Sequence, residues 1–127
     1  MFKNSLRGSP AQIGAFAIGA WWTLNGLAAF VADAFGHFDG ALNAWHALFH
    51  LLPGLLGLAV ARRAQAAHTY LLGAGALYVM AAAWGLIAGN TALGLIAVDT
   101  LGNVVHLAEG LVALTVGLSV LRQPAPA

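Results

Sequence analysis

Apolar residues run along this chain in four long blocks, at about 11–35, 41–62, 68–88 and 101–121, separated by short polar breaks. Each block is close to the ~20 residues that cross a bilayer core as a helix, so the pattern predicts four membrane-spanning helices. Residues 1–10 form a polar, basic tail ending at Ser9-Pro10, which suits a helix N-cap followed by proline in the first turn. Gly36-His37-Phe38-Asp39-Gly40 reads as a tight turn, and Arg62-Arg63-Ala-Gln as the next connection. Pro53 falls inside the second block, where it removes a backbone donor and predicts a kink just before it. Ala92–Val98 is apolar but too short to span. It reads as a partly re-entrant or lining segment, or as a shallow interfacial turn, ahead of Asp99-Thr100 as the cap of the fourth helix.

Composition agrees with the pattern. Hydrophobic residues make up 61% of the 127 and charged residues 7%, against about 25% charged in soluble domains. With five Lys and Arg in all and a net charge of +1, no nucleic-acid footprint is expected. Cysteine is absent, so disulfides, thiolate metal ligands and cysteine nucleophiles are excluded. Lys3 and Arg7 ahead of an apolar run have the look of a secretory signal. The run from Ala11 to Ala32 exceeds the ~7–15 residues of a signal core, however, and is read as a span. Lys3, Arg7, Arg62, Arg63 and Arg122 all fall on one side of a four-span arrangement, and Asp33, Asp39 and Asp99 near the other. The positive-inside rule then predicts cytoplasmic N and C termini, with His37, His46, His50, His106 and Glu109 toward the outer face and His68 toward the inner one.

The chemistry is concentrated in two stretches. Asn43-Ala-Trp-His46-Ala-Leu-Phe-His50-Leu-Leu-Pro53-Gly54 places two imidazoles one helical turn apart on one face, and Asn103-Val-Val-His106-Leu-Ala-Glu109-Gly110 is a weaker copy. Aligning His50 with His106 matches six of eleven positions, from His50–Val60 onto His106–Val116. The chain therefore reads as two helical hairpins in parallel repeat, related by an axis along the membrane normal. On that reading the second and fourth helices are equivalents. Their seams of polar, then small, residues are expected to face each other near the bundle axis.

The pattern His46-x-x-x-His50, then Val98-Asp99-Thr100 leading into Asn103-x-x-His106-Leu, resembles a family of small four-span bacterial membrane proteins grouped as a domain of unknown function. Members typically read His-Asn-x-x-His in the first half and Asn-x-x-His in the second. This chain has Ala47 where the first half often has asparagine, which argues against an obligatory role for that side chain. The resemblance implies an all-α, integral membrane four-helix bundle in the bacterial inner (cytoplasmic) membrane, and brings no activity with it.

Several readings of the polar residues compete. His46, His50, His106 and Glu109 offer four ligands for zinc, iron or manganese, or axial histidines for haem across the second and fourth helices. The plainer alternative is that they hydrogen-bond one another, Asn25, Asn43, Asn103 and the indoles, with Glu109 tying the fourth helix to the second or third. Trp21 and Trp22 lie mid-span, where an indole N–H wants a partner. Thr23, Thr115 and Ser119 are expected to bond back to their own helices. No nucleophile–base order, phosphate loop or carboxylate pair is present, so the protein reads as non-enzymatic. The leading expectation is a structural or accessory membrane protein that packs with itself or with a larger membrane complex. A metal- or haem-binding protein stands second, and a small oligomeric transporter or channel third.

Overall fold

The computed structural model describes residues 8–35, 43–89 and 91–121. Four helices account for nearly all of them: α1 Pro10–Ala34, α2 Ala44–Val60, α3 Ala64–Ala88 and α4 Thr100–Leu121. The four-helix, all-α architecture is as the sequence pattern predicts. Lys3, Arg7, the 36–40 turn with His37 and Asp39, residues 41 and 42, and Arg122 lie outside the described residues.

The helix starts follow local chemistry. Ser9 caps α1 in a reciprocal capping box with Gln12, and Pro10 takes the first helical position. Asn43 caps α2 by accepting the His46 N–H at 2.9 Å. Asp99 Oδ1 accepts the Gly102 N–H at 2.6 Å at the head of α4. Two boundaries differ from expectation. α2 has 17 residues and ends at Val60, short of Arg62. α3 begins at Ala64, a turn before His68, because alanine-rich 64–67 extends the helix at no conformational cost.

Residues 92–98, read from the sequence as a lining or partly re-entrant segment or a shallow interfacial turn, belong to a small β-hairpin. β1 (Thr91–Ala92) pairs antiparallel with β2 (Ile96–Ala97). The turn between them has Leu93 and Gly94 both at positive φ, with the Leu95 N–H returning to the Ala92 carbonyl at 3.1 Å. That is the backbone of a hairpin turn whose twist matches its strands. Ala92, Ile96 and Val98 are buried with Ala81, and Leu93 packs on them, which explains a leucine in a conformation favouring glycine.

Packing is strongest within each hairpin, α1 on α2 and α3 on α4. The two hairpins then meet mainly through α1 and α3. The expectation that the seams of α2 and α4 face each other holds at their polar ends, where His50 meets His106, and is corrected for their small residues. The small residues pack inside the hairpins, and the backbones of α2 and α4 do not approach one another. A glycine serves where backbones touch, and here they touch most closely between α1 and α2 and between α3 and α4. A methyl on Gly19 would sit 2.8 Å from the Leu58 nitrogen, and one on Gly110 2.8 Å from the Gly75 carbonyl oxygen.

The hairpins bury corresponding positions. His50 and His106 stand 56 residues apart. At that same offset the buried Ala11, Ala15, Gly19, Trp22, Gly26 and Ala29 of α1 meet the buried Ala67, Leu71, Gly75, Tyr78, Ala82 and Gly85 of α3. Trp22 and Tyr78, one such pair, stack on each other with centroids 3.8 Å apart. The N-terminal ends of α1 and α3 cluster with the end of α4, so Arg62 and Arg63 lie at that end of the bundle. The histidines, the β-hairpin and Asp99 lie toward the other.

Candidate metal centre

At that other end the side chains of His46, His50 and His106 converge. Each is more than nine-tenths buried, and one ring nitrogen of each lies within 4.8 Å of the other two. His50 Nε2 and His106 Nε2 are 3.0 Å apart. His46 stacks on His50 with centroids 5.2 Å apart and meets His106 edge-on at 5.1 Å. Long polar side chains thus bridge α2 and α4 where their backbones do not.

The hydrogen bonds fix which nitrogens carry protons. His46 Nδ1 lies 2.7 Å from the Ala97 carbonyl oxygen of β2. A carbonyl only accepts, so Nδ1–H donates and Nε2 holds the lone pair of the neutral ring. Tyr78 Oη donates its one proton to the Phe49 carbonyl at 2.9 Å, so at 3.2 Å it accepts from His50 Nδ1–H. His50 Nε2 is then an acceptor, and the proton in the 3.0 Å bond belongs to His106 Nε2. His106 Nδ1 is left with a lone pair, buried and without a partner among the described residues.

Pro53 explains why Tyr78 is there. Having no N–H, proline leaves the carbonyl four residues earlier without its helical donor. That carbonyl is Phe49, and α2 runs on through Pro53 while Tyr78 of α3 supplies the missing proton. Tyr78 is itself held between Trp22 and Phe49, stacked at 3.8 Å and 4.4 Å. Tyr70 similarly donates to the Pro53 carbonyl at 2.8 Å.

Glu109 stands apart from the three-histidine group. Its Oε1 accepts from Trp21 Nε1–H at 2.7 Å, so it ties α4 to α1 rather than to α2 or α3. Its Oε2 is buried without a hydrogen-bond partner among the described residues. The Trp22 indole N–H acts on the same carboxylate from outside hydrogen-bond geometry. Glu109 nevertheless shares a cavity of about 400 Å³ with all three histidines, lined also by Trp21, Asn25 and Asp99.

The other polar residues serve the helices. Asn25 Nδ2 donates to the Trp21 carbonyl, and Asn43 Nδ2 to Leu95 of the β-hairpin turn. Asn103 is buried over Gly85, its amide unpaired among the described residues. His68 Nε2–H donates to the Gly117 carbonyl at 2.9 Å, joining α3 to α4. Thr23, Thr115 and Ser119 bond back to Gly19, Leu111 and Val116 of their own helices, as expected. Reading the sequence missed Tyr78 and Ala97 as partners of the histidines. Pro53 was the available signal for Tyr78, since a freed carbonyl in an apolar bundle demands a donor and the chain has only two tyrosines.

Fold and site together define a class: a four-helix bundle with three helices long and apolar enough to cross a membrane, enclosing a buried cluster of three histidines. Residues 12–119 match the family described as domain of unknown function DUF4383, and the chain belongs to that family. Neither the curated proteins nor the solved structures contain a match.

Proposed function

We propose that this chain is a four-span protein of the cytoplasmic membrane that binds a first-row transition metal at His46, His50 and His106. The observation that carries the reading is the support behind the imidazoles. His46 and His50 each donate Nδ1–H to an oxygen, the outer-shell arrangement that fixes tautomer and ring direction in histidine metal sites. This turns Nε2 of both rings into the ligand atom. With metal–nitrogen bonds near 2.0 Å, two ligands of a tetrahedral ion lie about 3.3 Å apart and two trans ligands about 4 Å apart. The 3.0 Å between His50 and His106 suits the first geometry and leaves no slot for a haem plane between the rings. An imidazole-only donor set favours zinc, copper or iron over magnesium or calcium.

The membrane setting rests on composition and length. α2 spans about 26 Å at 1.5 Å per residue, slightly less than the ~30 Å hydrocarbon core, a mismatch that local thinning accommodates. Large apolar side chains, among them Ile13, Leu52, Met80 and Ile87, point outward on all sides, as lipid contact requires. The shared burial pattern at the 56-residue offset supports a duplicated hairpin. The distribution of Lys and Arg supports cytoplasmic termini.

Metal analysis of the protein purified in detergent tests the reading, beside His50→Ala and His106→Ala. Stoichiometric zinc, copper or iron lost in both variants is the expected result. If no metal is retained and none binds on addition, the three histidines act as a structural clasp between the hairpins, and the accessory-protein reading takes its place.

A further inference from the structure

A groove of about 660 Å³ opens on the outside of the bundle between the hairpins, lined by Leu52, Leu56 and Val60 of α2 and by Gly73, Ala74 and Leu77 of α3. The hydroxyls along it are already committed. Thr69 Oγ1 donates to the Gln65 carbonyl at 3.1 Å, and Tyr70 Oη to the Pro53 carbonyl at 2.8 Å. The groove therefore offers an apolar surface. Its floor is open at Gly73, where an added Cβ would meet nothing within 4 Å. A glycine inside a helix is destabilising relative to alanine, and no backbone among the described residues approaches Gly73 closely enough to require one.

The repeat supplies an internal comparison. At the 56-residue offset Gly73, Ala74 and Leu77 correspond to Ala17, Ile18 and Trp21, and Pro53 to Glu109. The matching groove between α1 and α4 measures about 340 Å³, narrowed by these larger side chains and crossed by the bond from Trp21 to Glu109. The wider groove thus belongs to the α2–α3 side alone and does not follow from the repeat.

Its length and its charged end indicate the occupant. Along α3 the groove extends from Ala66 to Leu77, about 16 Å at 1.5 Å per residue, or about half of the ~30 Å hydrocarbon core. That is the depth of one leaflet, which an acyl chain fills, whereas a partner helix crossing the membrane would need the full depth. The end at Val60 and Ala66 adjoins Arg62 and Arg63, both exposed. No acidic side chain answers them among the described residues: Asp33 and Asp99 lie at the opposite end of the bundle, and Glu109 lies midway along α4. Basic residues at the mouth of an apolar groove between membrane helices suit an anionic headgroup.

We propose that the α2–α3 groove binds one anionic phospholipid of the adjoining leaflet, with an acyl chain laid over Gly73 and Ala74 and the phosphate held by Arg62 and Arg63. This inference rests on the membrane setting above and is independent of the metal.

Native mass spectrometry of the detergent-purified protein, titrated with dioleoyl phosphatidylglycerol and with dioleoyl phosphatidylcholine, provides the test. One phosphatidylglycerol is expected to bind about tenfold more tightly than phosphatidylcholine. Arg62→Gln combined with Arg63→Gln should bring the two lipids level. Gly73→Leu, which fills the floor, should weaken both by about tenfold, because the acyl chain loses its packing contacts. Ala17→Leu, the same change in the α1–α4 groove, should leave both unchanged. Equal wild-type affinities for the two lipids, or affinities that Gly73→Leu leaves intact, overturn the site. A dimer that Gly73→Leu dissociates makes the groove a contact between copies and overturns it as well. If Gly73→Leu misfolds, the arginine variant decides, since it changes exposed positions only. Recovery of the chain from the soluble fraction without detergent overturns the membrane setting itself, which keeps the two failures apart.

Discussion

His50 Nε2 and His106 Nε2 lie 3.0 Å apart, at corresponding positions of two hairpins whose second helices do not touch by backbone. Only one proton stands between these nitrogens, and the bonds behind His50 place it on His106. In the metal-free protein, ring-nitrogen 15N shifts at neutral pH should therefore show His46 and His50 as Nδ1–H tautomers and His106 as Nε2–H. Finding His50 protonated at Nε2 would break the chain of donors running from His106 to Phe49.

Tyr78→Phe removes one hydroxyl that serves two partners, the Phe49 carbonyl and His50 Nδ1–H. Leaving buried groups unpaired costs about 1–3 kcal/mol, and loss of an outer-shell partner typically weakens a metal site by about 10–100-fold. Tyr70→Phe is the control, since among the described residues its hydroxyl bonds the Pro53 carbonyl alone. It should lower stability by about 1 kcal/mol and leave metal affinity unchanged. Equal metal-affinity losses in the two variants would count against a special role for Tyr78.

Metal should stabilise the fold by linkage. At about 100 times the dissociation constant the gain is about 2.7 kcal/mol, provided the unfolded chain does not bind. The melting temperature in detergent should rise on adding the metal, fall back with a chelator, and stay insensitive to both in His50→Ala. A similar rise in that variant would place binding elsewhere.

Glycine positions give a paired test of the packing. A methyl at Gly75 would meet the Gly110 carbonyl oxygen at 3.0 Å and Leu114 at 2.9 Å, so Gly75→Ala should part α3 from α4 and cost about 1–3 kcal/mol. Gly73, two residues away and on a different face of α3, has nothing within 4 Å. Gly73→Ala should be neutral or stabilise α3 by about 0.5–1 kcal/mol. Denaturant titration in mixed micelles compares the two directly.

Trp21→Phe removes the donor to Glu109 Oε1 and with it the tie between α1 and α4. Hydrogen bonds between membrane helices are worth about 0.6–2 kcal/mol, so a loss in that range is expected. Glu109→Gln, which still offers an acceptor, should lose less. The reverse order would mean that the carboxylate charge, rather than the Trp21 bond, holds α4 in place.

Much of the fold was legible in the sequence because it follows from local chemistry. Long apolar runs have to be helices in lipid, where every backbone group must be satisfied internally. Ser9-Pro10 and Asp99-Thr100 announce helix starts through side-chain oxygens that reach the first free N–H groups. The pairing of His50 with His106 was foreshadowed by a repeated spacing, six of eleven positions matching between His50–Val60 and His106–Val116.

Other features depended on what each helix meets. The glycines could be read as a packing seam, but not whether the seam faced its own hairpin or the other one. That was decided by which backbones approach within reach of a missing Cβ. Residues 92–98 are apolar in any reading, and only their burial against Ala81 makes them a β-hairpin rather than a re-entrant turn. Glu109 could have joined any neighbouring helix, and the rotation of α4 gave it to Trp21. The sequence by itself determined four helices and a set of histidines able to bind metal. Tertiary structure decided their proton positions, because a tautomer is chosen by the oxygen that each ring happens to face, and Ala97 and Tyr78 come from distant parts of the chain.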